Sequence, residues 1–173
     1  MNYAWAIVVA GLVGTIATIC VMLFRGAVAA DLGGSTAVAI ATTFGIVWTV
    51  WVLASAALAE ADVYRFAPAK VEPWLALAMM LPLAVALLAT RIPMVSRILN
   101  QPDTQWWLTV GQIFRVEGVA FLIVMALGEL PAGFALPAGL GDIAIGLGAI
   151  YLARGLRQGN VHRRLVWFNI LGL

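Results

Sequence analysis

Apolar residues in this chain come in long runs separated by short polar or charged stretches. A helix needs about 20 apolar residues to cross a bilayer. Tyr3–Phe24, Thr36–Ala59 and Gln105–Leu127 reach that length. Pro73–Thr90 is shorter and holds Pro82, which predicts a kink. Ala138–Ala153 is short and glycine-rich but still a candidate span. Leu165–Leu173 rises to roughly half of a bilayer core at about 1.5 Å per residue, which fits a half-span or, the reading favoured here, a chain that continues past Leu173. The pattern predicts an all-α integral membrane helical bundle of about five full transmembrane helices plus a partial sixth. Residues 1–173 then form a single transmembrane domain.

Composition strengthens that picture. Hydrophobic residues make up 64% of the 173 and charged residues 10%, against about 25% charged in a soluble domain. So few charges cannot cover a water-facing surface, and lipid must be the solvent for most of the chain. Net charge is +2, and the basic residues sit at span ends rather than in a patch, which argues against nucleic acid as a partner. With one cysteine, Cys20, and one histidine, His162, there is no intrachain disulfide, no thiolate metal site and no paired-histidine haem; no cofactor is expected. The N-terminus lacks a basic n-region, and its first apolar run is long enough to span.

Charge in the loops predicts orientation. With the N-terminus outside, the inner loops hold Arg25, Arg91, Arg97, Arg154, Arg157, Arg163 and Arg164, and the outer loops only Arg65 and Lys70. Tyr3, Trp5, Tyr64 and Trp74 would then anchor the outer interface, and Phe24, Trp106, Trp107 and Trp167 the inner one. Arg91–Thr104 mixes apolar and basic residues and reads as a short interfacial segment, after which Asp103 or Thr104 caps a new helix. Glu60, Asp62 and Arg65 read as a solvated charged face, and Ala37, Ala41 and Gly45 as a stripe for helix packing.

Arg115 and Glu117 interrupt the fourth apolar run near its middle. Charges at that depth are rare and mark functional candidates. At 100° per residue, Gly111, Gln112, Arg115 and Gly118 share one small, polar stripe, while Glu117 falls about 200° from Arg115, beside Ile113, Phe114 and Phe121. The two charges therefore cannot pair with each other. Arg115 keeps its charge and needs an acid, carbonyls or a ligand. Glu117 can instead take up a proton, because loss of water disfavours the carboxylate. Two readings stand side by side: a structural ion pair that fixes helix register, and an anion-binding arginine with a protonatable glutamate lining a cavity.

Residues 128–142 carry two Pro-Ala-Gly units, Pro131–Gly133 and Pro137–Gly139. An apolar loop is out of place in water, so this stretch is expected to fold back against the helices as a re-entrant turn. Asp142 then opens the fifth helix as a cap, heading a small stripe of Gly146, Ala149 and Ala153 that allows close approach. Arg115 would lie about 18 Å below the outer end of its span and Asp142 about 6 Å below, so the two meet only if the hairpin dips into the membrane. Asn169, in the last segment, reads as a helix-to-helix hydrogen bonder or a site residue.

From Trp106 to Leu173 the chain resembles a family of uncharacterised bacterial inner-membrane proteins. The resembling residues are Gln112-x-x-Arg115-x-x-Gly118, then Phe134-Ala-Leu-Pro-Ala-Gly-x-Gly-Asp142-x-x-x-Gly146, then Asn169-x-Leu171-Gly172. The resemblance covers about 40% of the chain. It implies a plain multi-span protein of the bacterial inner membrane, continuing past Leu173, with no activity attached, and it bears on Arg115 more than on Glu117.

No nucleophile elbow, P-loop or metal-ligand cluster is present in the sequence. Three functional readings remain. The first is a protein that binds or carries a small anionic or amphipathic molecule, with Arg115, Gln112, Glu117, Asp142 and Asn169 as candidate ligand contacts. The second is an accessory subunit whose polar residues satisfy partner helices, or a homo-oligomer. The third is a membrane enzyme acting on a lipid or isoprenoid through acid-base work by Glu117 and Asp142 with Arg115. Beyond the lipid bilayer itself, the sequence names no partner.

Overall fold

A computed structural model describes residues 2–64, 73–158 and 162–171. Among these the ordered elements are all helical: α1 (Asn2–Ala29), α2 (Gly34–Glu60), α3 (Trp74–Ala89), α4 (Pro93–Leu99), α5 (Thr104–Gly111), a 3₁₀ segment (Gln112–Gly118), α6 (Val119–Ala126), α7 (Ala132–Arg157) and α8 (His162–Leu171). Four helices are long and apolar enough to cross a membrane: Tyr3–Ala29, Gly34–Glu60, Thr104–Ala126 and Ala132–Arg157; the bent pair α3 and α4 would make a fifth.

What is inside and what is outside is reversed from a water-soluble bundle. The buried apolar residues are mostly small: Ala27, Ala37, Ala135 and Ala149 have no exposed surface. Among the described residues Ile98 is the one large side chain that is fully buried, while Val50, Leu53, Leu77, Leu87, Leu88 and Ile170 all stand more than half exposed. That distribution suits helices that can cross a membrane, since in hydrocarbon no hydrophobic force drives large side chains inward and small residues allow close approach.

The chain divides into two compact units, Met1–Met22 with Asp103–Leu173, and Leu23–Pro102. In the second unit, α1 ends in a tight turn with Asp31 at φ 55° and Gly33 at φ 82°. Ile92, held extended (φ −71°, ψ 123°) by the proline after it, turns the chain by 90° from α3 into α4. Pro82 lies inside α3, and the sharp bend comes at this later proline. The interfacial segment expected over Arg91–Thr104 contains this short helix, and it is tied to the end of α1. Ile98 packs where a Cβ on Gly26 would stand, and Arg97 donates from Nη2 to the Ala30 carbonyl at 2.8 Å. A cation at a helix C-terminus is favoured by the carbonyls left without partners there. Arg65 and Lys70 lie outside the described residues, and with them the Asp62–Arg65 charged face.

In the first unit the α5–3₁₀–α6 run and α7 form an antiparallel hairpin. It is closed at one end by Arg157, whose guanidinium sits 4.2 Å over the Trp106 ring, with Trp107 edge-on to Trp106 at 4.8 Å. The Phe121 and Phe134 rings meet edge-on at 5.8 Å towards the other end. α8 returns along α7: Phe168 faces Gly148, and Arg164 donates to the Tyr151 hydroxyl at 2.6 Å.

The connection between the fourth and fifth spans corrects the sequence expectation. α7 begins at Ala132, so most of 128–142 is helix and not a folded-back loop. The first Pro-Ala-Gly unit supplies the helix start: Pro131 is extended at the N-cap, and its carbonyl accepts from Phe134 and Ala135. The second lies inside the helix, with Pro137 less than two turns from the start. A proline removes one helical donor, here the one that would bond the Gly133 carbonyl. The loop that remains runs from Leu127 through Pro131, turning at Gly128 with φ 79°.

Candidate functional site: an ion pair and an orphan carboxyl in mid-span

The fourth span is expected to be one α-helix, but its centre is over-wound. The Gln112 N–H reaches the Thr109 carbonyl and the Val119 N–H the Val116 carbonyl, each three residues back. The ψ angles of −14° at Gln112 and −18° at Gly118 fit that winding. In a 3₁₀ helix side chains at i and i+3 eclipse. Gln112, Arg115 and Gly118 therefore stand in one row, and Phe114 and Glu117 in another.

The first row faces α7. Arg115 donates from Nε to Asp142 Oδ1 at 2.8 Å, and Nη2 lies 2.6 Å from the same oxygen. Asp142 is not a cap. It stands ten residues into α7, about 15 Å along the helix, which brings it to the depth of Arg115 without any dip of the hairpin. The expected depth mismatch disappears because the helix starts at Ala132.

Glycines make this contact possible. A Cβ at Gly118 would meet Asp142 Cβ at 2.6 Å and the Gly139 carbonyl at 2.8 Å. A Cβ at Gly139 would meet the Gly118 carbonyl at 2.8 Å, and one at Gly146 the Val116 nitrogen at 2.7 Å. Backbone thus lies on backbone along the 3₁₀ segment. The small stripe of Gly146, Ala149 and Ala153 is buried, as its spacing predicts.

The second row faces α1. The Glu117 carboxyl occupies the space a Cβ on Gly11 would need, and the Phe114 ring does the same at Gly14. Glu117 Oε2 is buried and has no hydrogen-bond partner. Arg115 and Glu117 do face different neighbours, as the helical geometry predicts, and the partner of Glu117 is bare backbone. Sequence reading missed Gly11 and Gly14; the signal was two glycines three apart in the first half of α1.

The remaining candidates lie apart from these contacts. Gln112 is half-buried in the Arg115 row. Asn169 is exposed on α8, next to Phe168. The pair itself is only partly covered, with 37% of the Arg115 and 25% of the Asp142 side chain exposed.

Comparison with curated proteins finds no match, and neither does comparison with solved structures. A family model does match, that of a domain of unknown function, DUF8737, over residues 72–173. The matched region runs from just before α3 through α8 and contains Arg115, Glu117, Asp142 and the glycines between them. With more than half of its length matched, the chain belongs to the DUF8737 family.

Proposed function

We propose that this chain is a polytopic protein of the bacterial inner membrane, N-terminus outside, that binds or carries a small anionic or amphipathic molecule at Arg115. The observation that supports this is the ion pair at mid-span depth with more than a third of the arginine side chain exposed. Hydrocarbon is a poor neighbour for a guanidinium, and charges within spans face protein, water or ligand. The head group of an amphipathic anion would sit against the exposed part of that guanidinium, with its tail along the apolar surfaces of the spans.

Native mass spectrometry of the protein released from nanodiscs, with palmitate and dodecyl phosphate as probes, tests this. Saturable adducts are expected on the wild type. They should vanish in the double variant Arg115→Met with Asp142→Leu, which removes both charges together and so leaves neither unpaired. Adducts of equal number and affinity on the double variant would overturn the reading. A partner protein supplying an acid would also satisfy the exposed guanidinium; a stoichiometric polypeptide in place of the probe would replace the ligand reading with an accessory-subunit one.

A further inference from the structure

We infer that Glu117 is a proton-binding site within the membrane, holding its proton while Oε2 lies against the backbone of α1. The argument is geometric and independent of any ligand at Arg115. Oε2 is enclosed and receives no hydrogen bond. Its cover is the α1 backbone itself, since Gly11 leaves no side chain between helix and carboxyl. The ionisable groups around it offer no compensation. Over the turns next to Gly11 and Gly14, α1 carries Ile7, Val8, Leu12, Thr15 and Thr18, none of them charged; Tyr3 and Cys20 lie more than two turns from Gly11, the residue that faces the carboxyl. From α7 comes Asp142, an acid, already joined to Arg115. Arg115, the cation on the same segment, points its Nε and Nη2 into that pair.

A carboxylate without donors in apolar surroundings is strongly disfavoured, and the usual outcome is neutralisation by a proton. The neutral acid needs no counter-ion and fits a helix contact made of glycine and phenylalanine. Release requires water to reach Oε2, which means that α1 moves off the 3₁₀ segment. The proton then passes to that water, and the carboxylate stays hydrated until the contact closes. Glycines at Gly11 and Gly14 suit such a contact, because smooth backbone can separate and return without interlocked side chains.

Infrared spectroscopy in nanodiscs reads the proton directly. At neutral pH the wild type is expected to show the carbonyl stretch of a protonated carboxyl, shifted when glutamate is labelled with carbon-13 and lost in Glu117→Gln. The chain has four glutamates, Glu60, Glu72, Glu117 and Glu129. The triple variant Glu60→Gln, Glu72→Gln, Glu129→Gln keeps Glu117 and must keep the band, which decides the matter even if Glu117→Gln fails to fold. Absence of an isotope-shifted band from the triple variant at neutral pH overturns the proposal, as does an unchanged band in a folded Glu117→Gln protein. Neither result touches the binding of palmitate at Arg115, so the two readings fail separately.

Discussion

Two kinds of residue control the fourth and fifth spans, glycines that admit backbone and charges that need each other. A methyl group at Gly118 or Gly146 would press on backbone atoms of the facing segment, which cannot turn aside as a side chain can. Overpacking of that sort costs about 1–3 kcal/mol. Gly118→Ala and Gly146→Ala are therefore expected to lower unfolding stability in detergent by that amount, whereas Gly141→Ala, inside α7 with nothing within 4 Å of its Cβ, is expected to raise it by about 0.4–1 kcal/mol. For the ion pair, removing one partner strands a charge, at roughly 3–5 kcal/mol where the site is dry. Asp142→Leu alone should thus destabilise more than the double variant with Arg115→Met, as chemical unfolding of the three proteins would show. At this scale the sequence was legible for direction, and it offered Asp142 as a partner for Arg115 only on condition that the hairpin dipped. A wheel of 100° per residue separates Arg115 from Glu117. It cannot tell which neighbour each meets, because that depends on where another helix begins.

That dependence belongs to the element. Reading two Pro-Ala-Gly units as a loop follows the ordinary logic of proline and glycine as breakers. One unit does start the helix, but the other is carried inside it, where tight packing on the 3₁₀ segment outweighs the lost backbone bond. The shift of six residues, from a start at Ala138 to one at Ala132, moves Asp142 from helix end to helix centre. Hydrogen exchange tests it: amides from Leu136 to Asp142, apart from Pro137, are expected to be protected like those of Ala149 and Leu152, and fast exchange there would restore the loop. The 3₁₀ winding had no signal in the hydrophobic pattern, which is apolar on all sides apart from the charges. The close approach of Gly146 lies within it, where a Cβ would meet the Val116 nitrogen and the Ile113 carbonyl.

For the whole molecule, the apolar runs announced the long helices well, because length and hydropathy alone decide whether a segment can cross a bilayer. Orientation rests on loop charge, and it has a simple test. Cys20 is the one cysteine, so a Cys20→Ala background accepts single reporters. Asn100→Cys should react with a membrane-impermeant maleimide only from the inner side, and Glu129→Cys only from the outer side; the reverse pattern would invert the topology.

The over-wound centre of the fourth span also sets its length. A 3₁₀ helix rises about 2.0 Å per residue against 1.5 Å for an α-helix, so the seven residues from Gln112 to Gly118 stretch the span by roughly 3.5 Å. They also add about 20° of rotation each, some 140° between its two ends. Set across a bilayer, such a segment would carry hydrophobic mismatch as a load, a thin membrane favouring the shorter α form and a thick one the longer 3₁₀ form. Such a return would unscrew Arg115 from Asp142 and Glu117 from Gly11 in one motion. In nanodiscs of graded acyl-chain length, spin labels at Gln105 and Leu127 should report a separation that grows with thickness by up to about 3.5 Å, making the span a gauge of the membrane around it.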